Sequence, residues 1–205
     1  TAYALFALYH ARDAGLTVPD NTIRNAIEFV RPAAYAAGER PAGPAQTISN
    51  RSLYNRQAFM LYTLALYDEA DVSRLNYVYD FAGQMSYYGW AYLALAYGEV
   101  DPQNANLGVL INDLSSAVAL SATGAQWTEE EHDLPNLNTD LHSTSVILSA
   151  LARLDSENNL LPQVVRWLMV ARTAQRGWAT PYETAWAIRG LTDYMVATGE
   201  LNANY

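Results

Sequence analysis

Apolar side chains recur at spacings of three and four residues along the whole chain, and this period predicts α-helices throughout. No segment alternates apolar and polar residues convincingly enough to predict a β-strand. Each predicted helix contains one of the following pairs of residues on the face expected to be buried: Leu5 and Tyr9, Ile23 and Val30, Met60 and Tyr67, Leu75 and Phe81, Trp90 and Tyr97, Leu107 and Val118, Ile147 and Leu154, Val165 and Ala171, and Thr184 and Met195.

Glycine and proline set the predicted limits of these helices. Glycine accepts the left-handed backbone that ends a helix, and proline lacks the backbone N–H that continues one. Residues 32–50, rich in Ala, Gly and Pro, and residues 127–138, polar and acidic, are predicted loops. The predicted stops are Gly15, Pro32, Gly98 with Pro102, Gly124 and Gly199, and Pro162 is placed in the first turn of a helix.

The predicted helices alternate between two kinds. One kind is rich in alanine and aromatic residues, and its small side chains let neighbouring helices approach on several sides, so it suits a buried inner layer. The other kind has a narrow apolar stripe and suits an outer layer. We therefore predict an all-α fold of helical hairpins, either a closed α/α toroid, which the unequal repeat lengths favour, or an open peptide-binding solenoid. The inner candidates are residues 3–8, 59–66, 89–96, 145–152 and 184–191.

Composition and charge narrow the possible functions. The chain has 205 residues, of which 51% are hydrophobic, so residues 1–205 are predicted to form a single domain with a full core. The net charge of −9 and the scattered basic residues argue against a nucleic-acid partner. No apolar run reaches the roughly 20 residues of a membrane helix. The absence of cysteine excludes disulfides and thiolate metal sites, and no motif indicates a cofactor.

The histidines and their acidic neighbours are candidates for a metal site. Residues 129–133 read Glu-Glu-Glu-His-Asp, and His142 follows nine residues later. This spacing matches no recognised zinc pattern, and His10 lies far away in the sequence. The sequence therefore favours a solvated acidic loop and predicts no metal site.

Four carboxylates, Glu130, Asp133, Asp140 and Glu183, lie at predicted helix starts or in the loops before them. Glycosidases built on α/α toroids use a pair of carboxylates at one mouth of the barrel, which keeps open an enzyme acting on polysaccharide or prenyl substrates. Acidic residues before helices are also ordinary caps and dipole partners.

Aromatic residues give a second candidate for ligand binding. Tyr87, Tyr88, Trp90 and Tyr92 would line a sugar-binding or hydrophobic funnel, but at helical spacing such rings favour the core. There is no Gly-rich phosphate loop, no Asp-rich prenyl-diphosphate motif and no Ser-His-Asp order. The residues alone therefore predict no catalytic residue and no enzyme.

The last fifty residues carry a more specific pattern. Residues 161–168 read Leu-Pro-Gln-Val-Val-Arg-Trp-Leu, and residues 176–187 read Arg-Gly-Trp-Ala-Thr-Pro-Tyr-Glu-Thr-Ala-Trp-Ala. This resembles the end of the thioester-containing domain of α2-macroglobulins and complement thioester proteins, where a Val-Val-Arg-Trp-Leu helix leads through a Gly-rich turn to the final helix. Residues 194–201 are most similar to the bacterial α2-macroglobulins.

Other segments resemble the same family in the same order. Residues 138–145, Asn-Thr-Asp-Leu-His-Ser-Thr-Ser, resemble the Asn-x-Glu-Ala-Thr-Ser start of an inner helix. Trp127 and its acidic followers resemble the Trp-Glu-Asp stretch before that helix, and residues 1–3 resemble the Thr-Ala-Tyr opening of an earlier one. The likeness thus spans nearly the whole chain.

The resemblance implies a non-catalytic scaffold segment, the C-terminal two-thirds of a thioester-type α/α toroid, in a protease-trapping inhibitor. It implies target proteases and flanking macroglobulin-like domains as partners, and an extracellular, periplasmic or cell-surface location. In the family a Cys-x-Glu-Gln motif upstream forms an internal thioester. This chain has no cysteine, so either it begins after the motif or the parent protein lacks it.

Two further expectations follow from the resemblance. Some complement proteins direct thioester transfer through a histidine in a loop, but the corresponding residues 40–50 contain none, so none of the three histidines inherits that role. An incomplete ring would leave Ala-rich faces such as residues 3–9 partly uncovered. We therefore predict self-association or marginal stability for the isolated chain.

Overall fold

A computed structural model describes residues 1–36, 49–173 and 177–200, and within them it contains nine α-helices and one short β-hairpin. The predicted all-α class is therefore confirmed. The chain divides into two compact units, Thr1–Leu107 and Gly108–Tyr205. The elements are α1 (Ala2–Asp13), α2 (Asp20–Ala34), α3 (Asn50–Ala65), α4 (Val72–Tyr79), α5 (Tyr87–Val100), α6 (Ala105–Ser116), β1 (Ala119–Ser121), β2 (Gly124–Gln126), α7 (Asp140–Leu154), α8 (Leu161–Val170) and α9 (Pro181–Ala197).

The first unit is built around α3 and α5, the two helices whose Ala-rich and aromatic sequences predicted burial. Leu61, Leu64 and Leu93 are almost completely buried between them. Aromatic rings fill the contact: the ring centroids of Phe59 and Tyr92 lie 4.9 Å apart with tilted planes. Burial of such large side chains is the main source of stability in this unit.

Buried polar side chains fix the ends of helices in the first unit. Asn55 of α3 accepts a hydrogen bond from the backbone N–H of Ser86 and donates one to the Ser86 hydroxyl, so it holds the residue that caps α5. Arg74 donates from Nε to the Ala34 carbonyl at 3.0 Å and from Nη2 to the Ala36 carbonyl at 2.6 Å. These bonds satisfy carbonyl groups at the end of α2 that have no partner within the helix.

The second unit is built around α7, which is buried from His142 to Ala152. Helix α9 packs along it so closely that a Cβ atom at Gly190 would lie 2.5 Å from the Ser145 carbonyl oxygen. Only glycine allows this separation between the two backbones. Trp178, before α9, donates from Nε1 to the Leu168 carbonyl of α8 at 3.1 Å, which ties the third helix of this unit to the pair.

The β-hairpin was not predicted. Its strands β1 and β2 are antiparallel and only three residues long, which is too short for an alternating pattern to be recognised. Gly124, predicted to close a helix, instead begins β2 with a φ of +134°. A Cβ atom there would lie 2.3 Å from the Gln163 carbonyl oxygen, so the hairpin packs directly on the α8 backbone.

Several predicted helix ends are displaced. Helix α2 continues through Pro32 to Ala34, because a proline in the last turn removes one hydrogen bond without stopping the residues after it. Helix α5 passes Gly98 and ends at Val100, before Asp101 and Pro102, since the residue preceding a proline avoids helical backbone. Residues 37–48 of the predicted loop lie outside the described residues.

Other predicted limits agree with the structure. Pro162 lies in the first turn of α8, and Gly15 and Gly199 follow the ends of α1 and α9 with positive φ angles of 84° and 72°. Helices α1 and α9 are less buried than α3, α5 and α7: Leu5 is the buried residue of α1, and Tyr3 is 43% exposed. No helix in the described part of the chain is both long and apolar enough to span a bilayer.

Candidate functional site

The carboxylate of Glu183 joins the starts of α7 and α9. Thr139 caps α7 by accepting a hydrogen bond from the backbone N–H of His142, and Thr180 caps α9 by accepting one from the N–H of Glu183. Both hydroxyls then donate to Glu183: Thr139 to Oε1 at 2.9 Å and Thr180 to Oε2 at 3.1 Å. The buried carboxylate thus fixes two helix N-caps against each other.

A second buried carboxylate lies in the segment that precedes α7. Ser143, in the first turn of α7, donates to Glu129 Oε1 at 2.8 Å and accepts a hydrogen bond from Asn138 Nδ2 at 2.8 Å. Asp133 is also buried and accepts a hydrogen bond from Asn136 at 2.8 Å. Because buried polar groups are costly unless they are hydrogen-bonded, these contacts hold residues 127–138 in one conformation.

Asp140 contacts both the backbone of this segment and the exposed side chain of His132. Its Oδ1 accepts a hydrogen bond from the backbone N–H of Glu129 at 3.0 Å and lies 3.1 Å from His132 Nε2. The side chains of His132 and Asp140 are 47% and 32% exposed, so solvent weakens this contact.

His142 is completely buried beneath these caps. Its Nε2 forms a hydrogen bond of 3.2 Å with the Tyr182 hydroxyl, and the Trp186 ring lies edge-on with its centroid 5.2 Å away. Loss of hydration lowers the pKa of His142 from 6.5 to about 3, so the ring is neutral at physiological pH.

The structure brings together three of the four predicted rim carboxylates. Asp140 and Glu183 lie at the adjoining starts of α7 and α9, and Asp133 lies in the segment that α7 holds. Glu130 is exposed. The prediction of a solvated acidic loop is wrong for Glu129 and Asp133, which are 8% and 4% exposed, because they bind polar groups within the unit.

These carboxylates accept hydrogen bonds that hold the fold together. Oε1 and Oε2 of Glu183 each accept one from a capping hydroxyl, and Oδ1 of Asp140 accepts one from a backbone N–H. Catalytic carboxylates present an oxygen to a substrate or a water molecule, and no contact of these side chains indicates such a role. The arrangement holds the starts of α7 and α9 together, and it gives no specific support to glycoside hydrolysis.

The aromatic candidates divide between core and surface. Tyr88 and Tyr92 are almost completely buried, as favoured from the sequence. Tyr87 and Trp90 are half-buried, with ring centroids 5.3 Å apart and planes nearly perpendicular. Trp90 also donates from Nε1 to the Ala82 carbonyl at 2.7 Å, which gives its only polar side-chain atom a structural role.

The metal candidates do not assemble. His132 is exposed beside Asp140, whereas His142 is buried against Tyr182 and Trp186. Within residues 1–36, 49–173 and 177–200, no group of three or more His, Cys, Asp and Glu side chains is placed to hold a metal ion.

One signal for this cluster was visible in the sequence. Residues 180–183 read Thr-Pro-Tyr-Glu, which has the Ser/Thr-x-x-Glu spacing of a capping box. In the structure the glutamate also reaches Thr139 of another helix, 44 positions away. Such a contact depends on the packing of α7 against α9, which the spacing alone does not contain.

Nearly the whole chain is similar in structure to segments of known proteins. The crystal structure of a Salmonella alpha-2-macroglobulin reacted with methylamine matches 94% of this chain, with a TM-score of 0.75 and 16% sequence identity. A native alpha-2-macroglobulin from Escherichia coli, in a structure spanning domain MG7 to the C-terminus, matches 95% with a TM-score of 0.68 and 18% identity. This chain has the fold of a segment of bacterial α2-macroglobulins. The resemblance drawn from the sequence is thereby confirmed as a likeness of fold.

The matched segment is a small part of these proteins. It covers 12% of the Salmonella chain and 29% of the Escherichia coli chain. A comparison with protein-family models finds no match, and a comparison with curated protein sequences finds none either.

Proposed function

We propose that this chain is a non-catalytic scaffold segment of the thioester-type domain of an α2-macroglobulin-like protease trap. The observation that carries the proposal is the fold shared with bacterial α2-macroglobulins over 94% of the chain. The sequence motifs that suggested the family support it, because they fall on connected structural features. Residues 138–145 form the capped start of α7, and residues 180–187 form the capped start of α9.

The polar cluster supports a scaffold role within this proposal. Glu183 accepts hydrogen bonds from two helix caps and Asp140 accepts one from the Glu129 backbone, so both side chains contribute to holding the helix starts in place. We further propose that residues 1–205 belong to a single incomplete α/α toroid, that macroglobulin-like domains flank it, and that the parent protein meets target proteases outside the cytoplasm.

The parent gene and its product test the proposal. We expect macroglobulin-like domains on both sides of this segment and a Cys-x-Glu-Gln motif upstream. Incubation of the full-length product with trypsin should then give a covalent adduct on a denaturing gel, and prior treatment with methylamine should abolish it. The isolated 205-residue chain should keep its mass in methylamine, because it has no cysteine to form a thioester.

The outcomes separate the parts of the proposal. A parent without flanking macroglobulin-like domains contradicts the proposed function. A parent with those domains but without the Cys-x-Glu-Gln motif keeps the scaffold role and removes the thioester.

A further inference from the structure

The turn before α7 exposes an apolar surface that the proposed scaffold role does not use. Leu134, Pro135 and Leu137 are exposed, and the two leucines are 73% and 60% accessible. The turn is a short 3₁₀ helix, Leu134–Asn136, followed by Leu137. We call residues 134–137 the leucine knuckle.

Buried residues hold the knuckle at both ends. Asp133 before it and Asn138 after it are 4% and 1% exposed. The N–H of Asn138 donates to the Asp133 carbonyl at 3.2 Å, and its side chain is anchored on Ser143 of α7. Inside the turn, Asn136 Nδ2 donates to Asp133 Oδ2. The leucines are therefore presented on a fixed support, which lowers the entropy lost when they bind.

Leu137 of the knuckle has a backbone conformation that is unfavourable for leucine. Leu137 has a φ of 57° and a ψ of 30°, the left-handed conformation that glycine and asparagine adopt more easily. A glycine would relieve this strain and remove an exposed apolar side chain. A strained residue that also exposes a large apolar group indicates a role outside folding.

The charge around the knuckle indicates what kind of surface it meets. Within residues 108–152 the sequence contains no Lys or Arg, whereas it contains six Asp and Glu: Asp113, Glu129, Glu130, Glu131, Asp133 and Asp140. Glu130 and Glu131 are exposed in the same segment as the knuckle. A complementary surface must combine an apolar pocket with basic residues at its edge.

We infer that the leucine knuckle is a docking point for another folded domain of the same polypeptide, through an apolar pocket edged by Lys or Arg. This inference rests on the proposed function, which supplies the neighbouring domains. It is also favoured by the matched structures, where this fold occupies only 12% to 29% of a longer chain. Leu134 and Leu137 enter the pocket, and the exposed Glu130 pairs with its basic edge.

Carbodiimide cross-linking of the full-length protein tests the docking, because this reagent joins a carboxylate directly to an amine. The 205 residues contain no lysine, so cross-links from Glu130 or Glu131 to a lysine must leave this segment. Peptide mass spectrometry should find such links to lysines of one other domain. Leu134→Ser with Leu137→Gly should lower their yield at least tenfold.

The control variant is Leu120→Ser, since Leu120 is a similarly exposed leucine, 63% accessible, that lies on β1 outside the knuckle. It should leave the cross-links unchanged. In the isolated chain, Leu137→Gly should keep or raise the melting temperature, whereas a lower melting temperature would make Leu137 structural and overturn the inference.

The remaining outcomes separate this inference from the proposed function. Flanking domains without cross-links from residues 130–131, or cross-links that survive the knuckle variants, overturn the docking alone. A gene product without macroglobulin-like domains contradicts the proposed function and removes this partner with it.

Discussion

His142 makes the stability of the chain depend on acid. The folded protein keeps the ring neutral because burial lowers its pKa from 6.5 to about 3, whereas the unfolded chain binds a proton below about pH 6.5. The unfolded state therefore binds more protons as the pH falls from 6.5 toward 3, and the free energy of unfolding decreases over that range. At higher pH this group contributes no pH dependence.

We predict that His142→Gln removes this acid sensitivity. Between about pH 7 and about pH 5, the free energy of unfolding of the unsubstituted chain should fall by about 2 kcal/mol more than that of the variant. Urea titrations at both pH values measure the difference. The contribution of other groups, such as Asp71 with its lowered pKa, cancels because both proteins contain them. Equal slopes would mean that His142 is accessible to protons in the folded state.

Glu183 offers a test of the polar cluster. Glu183→Gln replaces one carboxylate oxygen by an NH₂ group, which cannot accept the hydrogen bond of a capping threonine. The free energy of unfolding should fall by about 2 kcal/mol, the cost of leaving a buried polar group unsatisfied. The matched control is Glu130→Gln, an exposed site where we expect a change below about 0.5 kcal/mol. Equal losses of unfolding free energy in both variants would show that the hydrogen bonds of Glu183 with Thr139 and Thr180 do not stabilise the starts of α7 and α9.

Residue-scale features were predicted unevenly from the sequence. The prediction that Pro162 lies in the first turn of a helix is confirmed, because it depends on local backbone chemistry. The capping pattern of Thr180 and Glu183 is likewise visible in the sequence. The burial of Glu129 was not predicted, because its partner Ser143 is 14 positions away and the contact exists only after α7 has packed. Local rules identify caps, while long-range partners decide which polar residues are buried.

Helices α7 and α9 approach each other closely, and Gly190 tests this contact. In Gly190→Ala the new Cβ atom would lie 2.5 Å from the Ser145 carbonyl oxygen, so the helices must separate. We expect a loss of about 2 kcal/mol in the free energy of unfolding, as for other overpacked contacts. Gly108→Ala in α6 is the control, because nothing lies within 4 Å of its Cβ position. That change should add roughly 0.5 to 1 kcal/mol through helix propensity. Urea midpoints that shift in the same direction for both variants would contradict the close contact.

Helices as elements were predictable because each repeats an apolar period over two or more turns. The ends of the helices were less predictable. Helix α2 contains Pro32 in its last turn, and helix α5 contains Gly98 and ends only shortly before Pro102. The β1–β2 hairpin was missed because each strand has three residues, and its position is fixed by contact with α8 through Gly124. Short elements that depend on tertiary contact carry no periodic signal of their own.

At the scale of the whole molecule, the all-α class followed from periodicity, and the likeness to bacterial α2-macroglobulins followed from ordered motifs. The sequence identity to the matched structures is only 16% to 18%, and in this chain the motif residues lie at the capped starts of α7 and α9. Closure into a single toroid stays a prediction, because it concerns the two units together and each unit's contacts fix only its own packing.

Net charge and exposed apolar surface oppose each other in the isolated chain. The charge of −9 keeps copies apart, whereas Ile188 and Val196 on α9 are 54% and 63% exposed and favour association.

Between about 0.01 M and about 1 M sodium chloride the screening length falls from about 30 Å to about 3 Å. We therefore predict monomers at low salt and self-association at high salt, measured by sedimentation velocity. A variant with Ile188→Ser and Val196→Ser should stay monomeric at both, because the repulsion is unchanged and the apolar contact is lost. A single sedimenting species of the unsubstituted chain at both salt concentrations would show that these side chains do not drive association.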